Sequence, residues 1–222
     1  MEEMTESADT VLKEKRPREK KEKTRDKILK AARQVFARYP YQAASIRMIS
    51  KLGEVDPALI SYHFGSKAEL FKALLDGMLL QHLGSLDTWN KAVKPMRATR
   101  GLSVLLDYLL EEHRHRPELF RIVSLNFQQA DPDNPIPGYD LIEGFITTSV
   151  KKMNELLELN MPDHEADTFV RAISILLVSC LGNADSYAKI MGMDPESIVY
   201  FNWVKDTVLF MALPRLKLML TS

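Results

Sequence analysis

The sequence predicts an all-α fold of nine to ten helices, a small three-helix head followed by a larger helical-bundle body. Three observations predict it. Apolar residues recur at helical spacing from Thr24 onward, and no segment alternates with period two over a useful length, so no sheet is expected. Helix starts and stops fall where capping residues, prolines and glycines stand. The composition is that of a helical globular protein, with 45% hydrophobic and 27% charged residues and only 9 glycines in 222.

The elements follow in order. Residues 1–22 are charged and lack large apolar side chains, which predicts a disordered charged arm. Ile28, Leu29, Ala32, Val35 and Phe36 then give a first helix of about four turns that Pro40 stops. Ser45 is placed to cap a short second helix with Ile46, Ile49 and Leu52 inward, ending at Gly53. Asp56-Pro57 reads as N-cap and first-turn proline of a third helix running to about His63. Ser66 caps a fourth helix, which carries Leu70, Phe71, Leu74 and Leu75. Beyond Leu83 come longer helical patterns at about 98–115, 118–130, 138–160, 164–191 and 195–219. The breaks between them fall at Pro95, Pro117, the proline-rich 131–138 loop, Pro162 and the turn at 192–195. The expected division is arm 1–22, head 23–72 and body 73–222.

Formal net charge is zero, with 30 basic and 30 acidic side chains. That total hides a polarity. Residues 11–72 carry 16 Lys/Arg against 7 Asp/Glu, whereas the first ten residues and the stretch from 73 onward are net acidic. A basic segment joined to an acidic remainder suits a chain that meets phosphate at one end, because neutralisation of phosphates supplies much of DNA affinity. The other reading of 11–23 alone is a solvated charged tail. The single cysteine, Cys180, cannot form an intramolecular disulfide, no apolar run is long enough to cross a bilayer, and no signal peptide is visible. A cytoplasmic protein without a membrane partner is expected.

Two short capped helices about four residues apart make a helix-turn-helix, whose second helix enters the major groove. Ser50 supplies the small residue where the helices cross, packed by Ile49, Val55 and Ile60. Ala58, Leu59, Ser61, Tyr62 and His63 project from a helix of about two turns, too short to bury much, and are therefore candidates for DNA contact. The segments Thr24-Arg-Asp-Lys-Ile-Leu-Lys-Ala-Ala32, Phe36, Tyr41, Ser45-Ile-Arg-Met-Ile49 and Ser61-Tyr-His-Phe-Gly-Ser-Lys-Ala-Glu-Leu70 resemble the TetR family of transcriptional regulators over residues 24–71. The resemblance implies a helical homodimer whose head binds double-stranded operator DNA and whose divergent body binds a small-molecule effector. It also implies that Ser45, Arg47, Tyr62, His63 and Lys67 face phosphates or base edges. Each has a second reading: Tyr62 and His63 as core rings, Arg47 as a solvated arginine. Lys67 opposes the dipole of the fourth helix, which makes sense beside a phosphate.

The chain departs from the family pattern at Pro40 and Glu54, where glycine is usual, and at Ser61, where a tyrosine is common. A non-glycine residue in a left-handed turn costs roughly 1–2 kcal/mol. Either Gly53 takes up the special dihedral or the turn is slightly altered.

In the body, Phe169, Ile173, Leu176, Leu177 and Cys180 form one wide apolar face and Trp203, Val204, Thr207, Phe210 and Met211 another. Part of this surface could be intrachain core. Pairing with the same helices of a second subunit would give a two-fold four-helix interface, with Ile173, Leu177, Cys180, Trp203, Thr207 and Phe210 in it. An effector pocket needs an apolar lining broken by a few polar groups. His113, Phe127, Gln128, Phe145, Asn183, Asp185 and Tyr187 are the candidates, the run Asn183–Tyr187 the best of them, although each alone could be surface or satisfied core. The cluster His113–Arg116 reads as cations favoured at a helix C-terminus rather than a metal or anion site.

Neither cofactor nor metal is expected, and an enzyme is disfavoured. The sequence shows no phosphate-cradling glycine loop, no metal-ligand spacing and no nucleophile with a base. Two functions remain in play: a ligand-responsive transcriptional regulator, most simply a repressor on a (pseudo)palindromic operator, and a helical protein-interaction module with a basic arm.

Overall fold

A computed structural model describes residues 21–127, 133, 135–157 and 163–221. Among these residues every regular element is a helix, ten in number. Residues 1–20, most of the expected arm, lie outside the described set, and residues 21 and 22 are already helical. The chain divides into two compact units at Leu74/Leu75.

In the first unit, α1 covers residues 21–36, α2 is Ile46–Gly53 and α3 is Pro57–Phe64. α4, Lys67–Val93, begins here and continues as one 27-residue helix into the second unit. Residues on one face of α1 (Ile28, Ala31, Ala32, Val35 and Phe36) are buried together with Ile49, Ile60, Leu70 and Phe71. Phe36 meets Phe71 edge to face at 4.7 Å, and Tyr41 lies 5.1 Å from Phe71. Each such fully buried side chain contributes roughly 1.5–3 kcal/mol, which lets a unit of short helices hold its shape. Leu52, expected inward, is instead 47% exposed. An eight-residue helix can turn only one face to the core, and Ile49 and Gly53 occupy it.

The second unit is built around α8, Asp163–Gly182. It packs against α6 (Glu118–Phe127), α7 (Tyr139–Leu157) and α10 (Ile198–Thr221), while α10 also packs on α5 (Ala98–His115). Leu102, Leu106, Leu181, Val204, Val208 and Leu216 are nearly sealed in its core, and Tyr200 donates its hydroxyl to the Cys180 carbonyl at 2.7 Å.

The segment 164–191, read as one helix from its period, is two. α8 ends at Gly182, and α9, Ala184–Met191, starts after Asn183 and closes on Gly192 in the left-handed conformation. α10 starts three residues later than expected, because Ser197 rather than the 192–195 turn provides its cap, its Oγ accepting from the Tyr200 amide at 3.2 Å.

Candidate nucleic-acid interface and ligand cavity

The head presents its candidate contact helix by local chemistry. The Ser45 hydroxyl accepts from the Met48 amide at 3.3 Å and starts α2, and Asp56 accepts from the Ala58 amide at 2.7 Å and starts α3. Between them Ser50 Oγ donates to the Val55 carbonyl at 2.6 Å, pinning the turn. Gly53 does not take the left-handed dihedral. Glu54 does, at φ 45° and ψ 49°. Gly53 serves another need: a Cβ there would stand 2.9 Å from that of Ala31, so its absence lets α2 close on α1.

With Ile60 buried as the anchor of α3, Ala58, Leu59, Ser61 and Tyr62 are exposed, Tyr62 at 69%. His63 is half-buried, its ring 5.2 Å from that of Tyr62 and 6.4 Å from that of Phe64. Arg47 is exposed on α2, and Arg25 lies over the Phe64 ring at 5.1 Å. Ser45 spends its hydroxyl oxygen on the cap. Lys67 is drawn inward, its ammonium donating to the carbonyls of Tyr41 (2.9 Å) and Ala44 (3.0 Å) and lying 4.3 Å above the Tyr41 ring. Partial burial holds its pKa below the usual lysine value. Two of its three donors hold the 40–44 turn against the start of α4.

The second unit contains a cavity of about 580 Å³ between α4, α5, α6, α7 and α8, within the ~300–1,000 Å³ that holds a drug-sized ligand. Its walls are chiefly leucine, isoleucine, valine and phenylalanine. Of the residues expected there, Phe127, Phe145 and Asn183 line it, whereas His113 and Tyr187 do not, and Gln128 lies outside the described residues.

His113 is 4% exposed and packed between the rings of Phe120 (5.4 Å) and Phe201 (6.1 Å), its Nδ1 without a partner among the described residues. Burial, with the nearby Arg121 charge, lowers its pKa to about 4. The expected cluster of helix-end cations therefore loses its first member to the core. Tyr187 exchanges a hydrogen bond with Ser179 at 3.0 Å, and Asp185 pairs with Arg121 at 2.6 Å.

The cavity also contains polar groups that sequence reading missed. His82, 6% exposed, shares a 2.7 Å hydrogen bond through Nδ1 with Glu112, whose other carboxylate oxygen accepts from Ser85 at 2.8 Å. Burial pulls the Glu112 pKa up, but the hydrogen bonds from His82 and Ser85, with the nearby Arg116 charge, outweigh it and leave it lowered. Ser149 is 8% exposed and its hydroxyl has no partner among the described residues. The available signal was a single polar residue inside an otherwise apolar stripe, Leu79-His82-Leu86 on α4 and Phe145-Ser149 on α7.

Leu177 and Cys180, expected at a subunit interface, are 5% and 3% exposed in the chain's own core. Intrachain packing has taken the face that the sequence left open between core and interface. Ile173, Trp203 and Thr207 are half-buried, and Phe210 is 79% exposed. Met211 and Leu218 extend that exposed stripe along α10.

Residues 28–74 match the sequence profile of bacterial regulatory proteins of the tetR family. The chain is 40% identical over 108 residues to the HTH-type transcriptional repressor NicS of Pseudomonas putida, covering 46% of this chain and 48% of that one. It is 30% identical over 143 residues to the probable HTH-type transcriptional regulator YttP of Bacillus subtilis, covering 64% and 65%. The chain thus spans about half the length of one curated relative and under two thirds of the other. A TetR-family regulator from Agrobacterium tumefaciens superposes with a TM-score of 0.68 at 16% identity over 86% of this chain and 98% of its own, a likeness of fold. The head, residues 28–74, is thus similar to that of bacterial regulatory proteins of the tetR family, and the all-helical fold is shared with solved structures of such regulators.

Proposed function

We propose that the protein is a ligand-responsive transcriptional repressor that binds a (pseudo)palindromic operator as a homodimer, with α3 as the recognition helix and the cavity of the second unit as its effector site. The observation that carries this reading is the exposed row Ala58, Leu59, Ser61 and Tyr62 on a short helix anchored by Ile60. A helix that buries one residue and exposes most of the others is built to touch something else, and the net positive charge of residues 11–72 suits phosphate. Repression is supported by the likeness to NicS, a transcriptional repressor. Pairing of two copies is supported by the Phe210–Met211–Leu218 stripe, an apolar surface that water would otherwise cover.

Selection of bound fragments from genomic DNA, followed by binding at matched salt, tests the reading. Tyr62→Ala is expected to lose about tenfold or more in affinity for the selected operator while melting unchanged, and Arg47→Ala to reduce the salt slope by about one. Lys67→Met is expected to act first on the stability of the head, because its ammonium bridges two carbonyls. Unchanged operator affinity in both Tyr62→Ala and Arg47→Ala would overturn the assignment of the head. Phe210→Glu is expected to give a monomer in sedimentation. A dimer of unchanged affinity would remove α10 from the interface.

A further inference from the structure

The cavity has two polar ends, and they differ in what is left for a ligand. At the α6–α8 end, Asn183 Nδ2 donates to Ser124 Oγ at 2.8 Å and to the Ser179 carbonyl at 3.0 Å, so both its donors are used within the chain. The α4–α7 end is unfinished. His82 spends Nδ1 on Glu112, and its Nε2 has no hydrogen-bond partner among the described residues. Ser149 Oγ is likewise buried without a partner.

Both residues line the same cavity, on helices that meet. The Phe145 ring lies 5.6 Å from that of His82, Ser149 is one helical turn beyond Phe145 on the same face of α7, and the Lys152–Asp87 ion pair ties α7 to α4 one turn further along. Around them stand the rings of Trp89 and Phe120, 5.7 and 6.0 Å from His82. A buried hydroxyl left open in a largely apolar wall is a cost of burial unless something supplies its hydrogen bond.

Resting on the reading of the cavity as the effector site, we infer that it takes a predominantly apolar molecule bearing one hydroxyl group, whose oxygen donates to His82 Nε2 and accepts from Ser149 Oγ. The chemistry of the dyad selects the hydroxyl. The Glu112 carboxylate is acceptor-only, so Nδ1 is the donor in their hydrogen bond, and in a neutral imidazole Nε2 is then the acceptor left to a ligand. Ser149 can then donate to the same oxygen. A carboxylate in that place would set a second anion across one imidazole from Glu112. Arg171, the cation on the lining, is already bonded to Asp167 at 2.7 Å. A methyl ether would leave Nε2 unpartnered.

Calorimetric titration of the full chain with four matched probes tests this: 4-heptylphenol, 4-heptylanisole, 4-heptylbenzoate and heptylbenzene. The phenol is expected to bind roughly tenfold more tightly than the ether and more tightly than the benzoate. His82→Asn keeps a donor for Glu112 and removes Nε2, so it is expected to bring the phenol and ether affinities within about twofold of each other while the ether still binds. Ser149→Ala, which deletes an unpartnered hydroxyl and should leave folding intact, is expected to narrow the gap in part. Equal binding of phenol and ether to the unaltered chain, or preference for the benzoate, overturns the hydroxyl inference and leaves the cavity reading standing. If no probe binds, or if all bind equally well to a cavity-filling Ile146→Phe variant that melts normally, the cavity reading itself fails and this inference with it.

Discussion

At the scale of the residue, Glu54 shows where the turn of the head stores strain. A left-handed conformation costs a side chain about 1–2 kcal/mol, whereas glycine gives back roughly 0.5–1 kcal/mol through its freer unfolded chain. Its ion pair with Lys27, at 3.9 Å between exposed groups, contributes almost nothing. Glu54→Gly is therefore expected to stabilise the protein by about 0.5–1 kcal/mol, read from the midpoint of urea unfolding, and no gain would mean that the turn relaxes around glycine. His113 sets a second residue-scale expectation. The folded chain keeps its imidazole neutral down to about pH 4, while the unfolded chain takes up a proton near pH 6.5. The unfolded state thus binds more protons between these values, so this part of stability is complete above pH 6.5 and is lost as pH falls toward 4. The loss is about 3 kcal/mol at most. His113→Leu should flatten the pH dependence of the urea midpoint between pH 7 and 5, and an unchanged slope would place the titration elsewhere.

At the scale of the element, the approach of α6 to α8 rests on Gly182. A Cβ there would collide with the Ser124 Cβ and stand 2.6 Å from the Phe120 carbonyl oxygen. Backbone cannot swing aside as a flexible side chain can, so Gly182→Ala is expected to cost about 1–3 kcal/mol in chemical unfolding; a cost below a few tenths would show that the two helices separate freely. This glycine also illustrates what the sequence could not disclose. Starts and stops with local causes were legible: Ser45, Asp56-Pro57, Ser66 and the 98–115 span all stand where capping and proline chemistry put them. The break between α8 and α9 was not, because its cause is packing across 59 residues, Asn183 to Ser124, rather than a local stop. The site divides the same way. The exposed face of α3 followed from the shortness of that helix, whereas His82 and Ser149 matter only because α4 and α7 meet. Period alone could not say that the apolar face carrying Leu177 and Cys180 would be used within one chain.

At the scale of the molecule, α4 contributes to both units, with Leu70 and Phe71 in the core of one and Leu79, His82 and Leu86 on the cavity wall of the other. No helix among the described residues is long and apolar enough to cross a membrane. The sealed core of the second unit has a practical consequence through Cys180, the chain's single cysteine. Burial pushes its thiol pKa up, so in the native state it has neither the thiolate nor the access that disulfide exchange requires. Its reaction with an aromatic disulfide reagent should proceed only through opened molecules. A ligand in the cavity at a hundred times its dissociation constant should slow that reaction about a hundredfold, and labelling at an unchanged rate would mean that Cys180 reacts without opening of the cavity. The protein thus carries a stopwatch for its own opening, one thiol whose colour reaction can be timed without any added label.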